Sequence, residues 1–230
     1  MYFEQALSGL EPERKKWIEQ NPIFEKIQDG SFTRWHYLAY LKETYHLVRH
    51  TPSYLKVAAE RINPDENWLR DYYLKYAEDE SGHELLCVHD IRALGGDPDQ
   101  VLANKPLGGS WSMITQNYFL SSFGNPVSLI GDTIATEGLG SSLATSIADV
   151  LEEKYGFPHA ATTFLRVHGE VDADHMDAAR RALESFGAEE NHYNDIFHTW
   201  KMTLRYYGQL FADVVVQGDE WNNEHGSSVH

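Results

Sequence analysis

The sequence has few of the residues on which several common classes of protein depend. Cys87 is the only cysteine among 230 residues, so the chain can form no internal disulfide and no zinc site built from cysteines. This cysteine usage is typical of a reducing compartment, and we expect a cytoplasmic protein. No apolar run approaches the ~18–20 residues of a membrane span, and the first residues lack the basic-then-apolar order of a secretory signal.

Basic residues are also scarce. The 19 Lys and Arg are outnumbered by 35 Asp and Glu, which gives a formal net charge of −16. Because binding to a phosphate backbone requires a basic surface, we do not expect nucleic acid as a partner, and we expect no membrane partner. A homodimer is compatible with the sequence.

Apolar residues recur at helical spacing along most of the chain, and the strict alternation of half-buried strands is nearly missing. One of the longest predicted helices covers residues 66–94, and another kinks at Pro52. With no interior linker or repeat, the sequence predicts a single all-α domain over residues 1–218, a bundle of seven helices. The remaining residues, 219–230, are polar and are predicted to be disordered.

The helix predicted over residues 159–186 carries a polar stripe. His168, Asp172 and His175 stand at i, i+4 and i+7, which places them within roughly 60° of one another around a helix. Such side chains would be costly to bury unless a metal ion binds them. A solvated acidic face with two incidental histidines explains the same residues. Whether this stripe binds a metal therefore depends on potential ligands elsewhere in the chain.

Two further segments offer ligands of the same kind. Glu80 and His83 form an E-x-x-H pair, which is a known element of carboxylate-bridged metal sites in helical bundles, although surface pairs of this type are common. Glu137 lies in a small and apolar stretch, with no basic residue within one or two helical turns. A buried carboxylate needs a partner, and a metal ion would serve.

Together the candidates are three carboxylates and three imidazoles: Glu80, His83, Glu137, His168, Asp172 and His175. Mixed oxygen and nitrogen ligands suit iron or manganese better than Ca²⁺, which favours oxygen alone. Six side chains around two ions would leave positions open for O₂ and a substrate. A single ion held by the three residues of the stripe is the alternative, with the other three residues structural.

These motifs carry a resemblance. The order of the helices, the segment AYLKETYHLVRHTPSYLKVAAER, and the succession of E-x2-H, an isolated Glu and H-x3-D-x2-H resemble the haem-oxygenase-like diiron oxidases. That family shares a seven-helix fold with the TenA- and PqqC-like proteins, and the similarity covers residues 32–216. The resemblance implies two Fe²⁺ ions, with Mn²⁺ as an alternative, bound by the six candidates as the catalytic centre.

The resemblance also implies an O₂-dependent oxidation of a small substrate that bears a carboxylate. An amino acid, including an aromatic one, would undergo oxidative C–C cleavage, N-oxygenation or a nitrile-forming rearrangement. The alternative on the same site is the oxidative decarboxylation of a medium-chain fatty acid. One ligand set serves all of these outcomes, so the sequence does not choose among them.

The second predicted helix and the helix that carries the polar stripe supply candidates for substrate binding. Lys42, Arg49 and Arg166 are candidates to anchor a carboxylate, and Tyr45 is a candidate for the pocket wall. Glu43 is a candidate for orienting a ligand histidine. Most tyrosines and arginines of a helical bundle are core or surface groups, so each of these assignments has a structural alternative.

Two functions of other classes stay open. A metal-free hydrolase of the TenA type would use Glu80 or Glu137 as a general acid or base, although Cys87 is best interpreted as a small buried hydrophobe and not as the nucleophile of that chemistry. A non-enzymatic helical binding module would need neither iron nor O₂, and it would expose a large apolar patch instead.

Overall fold

A computed structural model describes residues 1–226, apart from the side chains of Glu66 and of residues 170–174. Every regular element in this part of the chain is helical, which confirms the predicted all-α fold. None of these helices combines the length and the apolar character needed to cross a bilayer. The helices are α1 (Tyr2–Arg14), α2 (Pro22–Asp29), α3 (Arg34–Val48), α4 (Thr51–Arg61), α5 (Asn67–Asp79), α6 (Glu84–Ala93), α7 (Pro98–Val101), α8 (Gly108–Ser122), α9 (Leu129–Glu153), α10 (Thr163–Phe186) and α11 (Glu190–His225).

Local sequence signals explain where several helices begin. Asn21 caps α2 by accepting a hydrogen bond from the backbone N–H of Ile23. Thr33 precedes α3 and forms a reciprocal capping box with His36. Pro52 lies in the first turn of α4, where its missing N–H is tolerated, so the chain ends one helix and starts another. The kink predicted there within one continuous helix is therefore wrong.

The single helix predicted over residues 66–94 is in fact two helices, α5 and α6. A four-residue turn separates them, and Gly82 within it has a φ of 95°. Glycine adopts this left-handed conformation without steric cost, but a right-handed helix cannot continue through it. Interruptions of this kind explain why the described residues contain more helices than the seven predicted. This turn holds two of the predicted ligands, Glu80 and His83.

The long helices α9 and α10 pack against each other at the centre, and α11 crosses α3, α8 and α9. Gly169 of α10 permits the close approach to α9, because a Cβ there would clash with the Thr145 hydroxyl and lie 3.2 Å from the Thr145 backbone nitrogen. Apolar side chains from nearly all of the longer helices form one connected core around this pair. Residue His168, adjacent to Gly169, is thereby fixed against α9.

The last helix extends further than the sequence predicted. Since α11 continues to His225, the boundary predicted between residues 218 and 219 lies inside a helix. Asp219 accepts hydrogen bonds from Lys26 Nζ at 2.8 Å and from His36 Nε2 at 3.1 Å, and these contacts hold the helix against α2 and α3. Composition alone could not reveal such long-range partners. Residues 227–230 of the predicted tail lie outside the described residues.

Candidate metal centre

Five of the six predicted ligands converge where the turn between α5 and α6 meets α9 and α10. They form two triads, in each of which one ligand atom per residue lies within 4.8 Å of the others: Glu80 with His83 and His168, and Glu80 with Glu137 and His175. Glu80 belongs to both triads. One carboxylate is therefore common to both groups of ligand atoms, as bridging carboxylates are in helical-bundle di-metal sites.

Helix α10 supplies ligands to both triads. His168 and His175 are seven residues apart, about two helical turns, so both side chains lie on one face of α10. The spacing that predicted a stripe thus gives the expected arrangement for these two histidines. The side chain of Asp172, the third member of the stripe, lies outside the described residues.

The two carboxylates are almost completely buried, Glu80 with 4% and Glu137 with 5% of its surface exposed. Glu80 Oε2 lies 3.1 Å from His83 Nδ1, and Glu137 Oε2 lies 3.2 Å from His175 Nδ1. In the described part of the chain, neither carboxylate is within ion-pair distance of a Lys or Arg. Two carboxylates are thus buried together with imidazoles as their ionisable neighbours, an arrangement that a cation would stabilise.

Two buried atoms at this site have no hydrogen-bond partner. The His168 Nδ1–H donates to the carbonyl oxygen of Phe164 at 2.8 Å, which leaves the lone pair of the ring on Nε2. That Nε2 and Glu80 Oε1 are both buried without a partner, which is rare for polar atoms in protein interiors. Metal-ligating histidines commonly donate their other N–H to a carbonyl in this way. The donor set therefore fits iron.

The protonation of the three histidines differs. Burial lowers the pKa of His168, which favours the neutral form that binds metals. The hydrogen bond with Glu80 raises the pKa of His83. Burial alone would lower the pKa of His175, but the hydrogen bond and charge of Glu137 outweigh it, and the pKa is raised. Metal binding would release the protons of these two imidazoles.

The sequence reasoning missed two residues at this site, Tyr76 and Asp79. The Tyr76 hydroxyl donates a hydrogen bond to Glu137 Oε1, and its ring centroid lies 4.8 Å from that of His175. Asp79 Oδ2 lies 3.8 Å from His175 Nε2. Tyr76 precedes Glu80 by one helical turn, so an inspection of the same helix face would have identified it.

A cavity of about 120 Å³ lies against the two triads. Glu80, Glu137 and His168 belong to its wall, and most of the other lining residues are aliphatic or aromatic. The described lining contains no Lys or Arg. One face of α9 follows the cavity at intervals of three and four residues: Asp132, Thr136, Gly140, Ala144, Ile147 and Leu151.

Three predicted substrate contacts are absent from the described lining of this cavity: Tyr45, Arg49 and Arg166. Arg49 is exposed, with its guanidinium 5.2 Å from the centre of the Tyr45 ring. Arg166 forms ion pairs with Asp149 at 2.9 Å and with Glu152 at 2.7 Å. Helical spacing alone does not reveal which side of a helix faces a cavity and which faces solvent, so substrate contact by these residues stays a prediction.

Lys42 and Glu43, predicted as an anchor and as an orienting group, are also absent from the cavity wall. Both are fully buried, and Lys42 Nζ lies 2.8 Å from Glu43 Oε1. Lys42 also donates to Gln217 Oε1 at 2.9 Å, and Glu43 Oε2 accepts from the backbone N–H of Leu107 at 2.9 Å. This ion pair links α3 to α11 and to the start of α8. Glu43 therefore has a structural partner in place of a ligand histidine.

The single thiol offers no nucleophile to the cavity. Cys87 is fully buried in the core, and it is absent from the described cavity lining. Burial raises its pKa well above the usual value, so the thiolate is disfavoured. The interpretation as a small buried hydrophobe is the one that fits this environment.

Comparison with known proteins gives the family and the fold of this chain. Residues 38–208 match a family described as "iron-containing redox enzyme". A solved domain of unknown function with a heme oxygenase-like fold, from Shewanella denitrificans OS217, is similar with a TM-score of 0.87 and 20% identity, over 99% of this chain and 97% of that one. A comparison with curated proteins gives no significant match.

Two TenA homologues share the fold as well. The one from Pseudomonas syringae pv. tomato DC3000 has a TM-score of 0.79 and 12% identity, over 94% of this chain and 93% of its own. The one from Pyrococcus furiosus has a TM-score of 0.75 and 11% identity, over 93% of this chain and 100% of its own. At these identities the likeness shows the fold alone, and it confirms the predicted haem oxygenase/TenA type.

Proposed function

Because this chain belongs to the family of iron-containing redox enzymes, we propose that it is an O₂-dependent oxidase or oxygenase with two iron ions. The observation that carries the proposal is the pair of ligand triads that share Glu80. A carboxylate common to two ligand sets can hold two ions about 3.5–4 Å apart, the usual spacing of two-metal sites. Manganese accepts the same ligands, so the identity of the metal belongs to the test.

Each ion has its own ligands in this proposal. His83 and His168 would hold one ion, Glu137 and His175 would hold the other, and Glu80 would be shared by both. Asp172 stays a predicted ligand, on the strength of its i+4 spacing from His168.

Two ferrous ions bound there would supply electrons for the reduction of O₂ as the substrate is oxidised. The protein's part is positional. The carbonyl of Phe164 holds the His168 ring with its Nε2 lone pair toward the site, and the Tyr76 hydroxyl orients Glu137 by donating a hydrogen bond to its Oε1. The apolar walls of the cavity exclude water from the reacting atoms, which strengthens electrostatic interactions there.

The cavity wall also bears on the substrate. A carboxylate-bearing amino acid anchored by Arg or Lys was one expectation, but the described lining has neither residue. Aliphatic and aromatic walls along α9 favour a substrate with an extended apolar body instead. Among the expected classes, only the chain-like body of the fatty-acid alternative suits this shape, because its carboxylate, like that of an amino acid, finds no Lys or Arg in the described lining.

Anaerobic titration with Fe²⁺, followed by exposure to O₂ in a stopped-flow spectrometer, tests the proposal. We expect about two ions per chain and a transient visible absorption band after mixing. His175→Ala should remove one ion, while His159→Ala, which alters an exposed histidine outside both triads, should leave the stoichiometry unchanged. The proposal fails if iron does not bind, or if the two variants bind it equally well. Parallel titration with Mn²⁺ decides between the metals.

A further inference from the structure

Asp132 is a second polar centre in the cavity, distinct from the two triads. It is buried on α9 and lines the cavity. Its carboxylate accepts hydrogen bonds from Asn117 Nδ2 at 2.8 Å, Thr203 Oγ1 at 2.9 Å and the Tyr54 hydroxyl at 3.5 Å. All three donors are neutral. Since the described lining has no Lys or Arg, this wall offers no cation to balance the charge.

Asn117 gives the second observation. It is 1% exposed and lines the cavity beside Asp132. Because a carboxylate only accepts hydrogen bonds, the amide NH₂ must face Asp132, and this fixes the orientation of the amide group. The other amide atom, Oδ1, is buried without a hydrogen-bond partner. Asn117 thus has an unused acceptor, and its side chain lies beside an unbalanced carboxylate in the cavity wall.

We propose that Asp132 and Asn117 form a binding site for the primary ammonium group of an amphipathic amine. An ammonium group carries three N–H donors and one positive charge. One donor can satisfy Asn117 Oδ1 and another can bond Asp132, so the group meets both requirements at once. A carboxylate head would face an anion here, and a hydroxyl head would leave the charge of Asp132 unbalanced.

The apolar body of the amine follows α9. The cavity passes from Asp132 to Glu137 and then along Leu143, Ile147 and Leu151. At ~1.5 Å of rise per residue, Asp132 lies about 7.5 Å along the axis from Glu137 and about 28 Å from Leu151. A nitrogen held at Asp132 therefore places a carbon several bonds away beside the two triads. The binding of an amine at Asp132 is independent of the proposed function, but its oxidation beside the triads rests on that function.

Isothermal titration calorimetry of the metal-free protein tests the ammonium site directly. The probes are octylamine, octan-1-ol and octanoate, which share one apolar chain and differ in the head group. We expect octylamine to bind about 10–100-fold more tightly than octan-1-ol, the range of a hydrogen bond to a charged group, and octanoate to bind most weakly. This comparison uses the unaltered protein, so it does not depend on the folding of any variant.

Two variants then locate the site. Asp132→Asn should reduce the affinity for octylamine by about tenfold or more and leave the affinity for octan-1-ol within about twofold. Asp213→Asn is the control, because this carboxylate also accepts two hydrogen bonds, from Gly109 N and Gln209 Nε2, and is absent from the described cavity lining. It should leave octylamine binding unchanged.

Equal affinities for the three probes, or equal effects of the two substitutions, would overturn the ammonium site. Failure of iron binding with amine selectivity intact would reject the proposed oxidase and keep the site. Loss of amine selectivity with two irons still bound would reject the ammonium site and keep the proposed oxidase. The two proposals therefore fail separately.

Discussion

Two clusters of buried charged residues lie in this bundle, and they differ in how their charge is balanced. Lys42 and Glu43 are both 0% exposed, and they neutralise each other across 2.8 Å. Glu80 and Glu137 are buried to nearly the same degree, but in the described structure their only partners within ion-pair distance are histidines.

The difference separates a structural carboxylate from a functional one. Burial alone does not indicate a metal ligand, since Glu43 is more deeply buried than Glu80 and is satisfied within the protein. What marks Glu80 is that no Lys or Arg lies within ion-pair distance of it in the described structure, while His168 Nε2 in the same triad has no hydrogen-bond partner. Substitutions in the two clusters should therefore have opposite consequences, one for metal binding and the other for stability.

The largest expected effect is that of Glu80→Ala on iron. Because Glu80 belongs to both triads, the variant should lose both ions, a greater effect than the ~10–100-fold loss typical of outer partners of a metal site. Glu43→Gln is the matched control and should retain the full iron stoichiometry. Anaerobic Fe²⁺ titration measures both. One tightly bound iron remaining in Glu80→Ala would show that this carboxylate does not bridge the ions.

Lys42→Met should have the next largest effect, and on folding instead of iron. The substitution leaves Glu43 buried without its cation, which typically costs about 3–5 kcal/mol. Guanidinium unfolding of the iron-free protein measures the loss, and adding Glu43→Leu in the same chain should recover part of it. A loss in the free energy of unfolding below about 1 kcal/mol is typical of solvent-exposed ion pairs. Such a result would contradict the contrast between the Lys42–Glu43 pair and the metal centre.

Asp132 is intermediate between the two clusters in how its charge is compensated. Its carboxylate oxygens accept hydrogen bonds, but no cation among the described residues balances its charge. Burial raises its pKa from the usual 3.8 to about 6. The folded state therefore binds the proton more tightly than the unfolded state, and this residue lowers the free energy of unfolding as the pH rises from about 4 to 6. The accumulated cost at pH 7 is about 3 kcal/mol.

Asp132→Asn removes this titration. Relative to the unaltered protein, the variant should gain stability as the pH rises from about 4 to 6, by an amount on the order of 3 kcal/mol. Urea unfolding of both proteins across that range measures the difference. Parallel stability curves would mean that the carboxylate is as well compensated as Glu43.

Tyr76→Phe should have the smallest effect. It removes the hydrogen bond to Glu137 Oε1 but no ligand, so two irons should still bind, with affinity about tenfold lower. Tyr73→Phe is a suitable control, because the Tyr73 hydroxyl donates to the carbonyl of Pro126 outside the metal site. If the two variants bind iron with equal affinity, Tyr76 does not orient Glu137.

Much of the metal centre could be predicted from the sequence, because helix geometry is nearly invariant. His168 and His175 share a face at any position in a bundle, and Glu137 stood out through an apolar context without basic neighbours. The turn at Gly82 could not be predicted, since an isolated glycine is tolerated within helices and only its φ reveals the break.

The substrate contacts were the least predictable part. Lys42 lies on a predicted amphipathic helix, and nothing in its neighbourhood in the sequence shows that Gln217, far along the chain, completes its environment. The site at Asp132 was missed for the same reason. Its partners Asn117 and Thr203 come from two other helices, and the contact exists only after α8, α9 and α11 have packed together.

The turn between α5 and α6 has a thermodynamic consequence for folding. Glu80 and His83 lie in a segment that belongs to neither helix, while their partners Glu137, His168 and His175 lie within long ones. Ions bound there would act as a non-covalent cross-link between a short loop and the central pair of helices. Ligand binding of this kind favours the conformation that it requires. Iron supply would then regulate how often this corner of the bundle opens, as well as its chemistry.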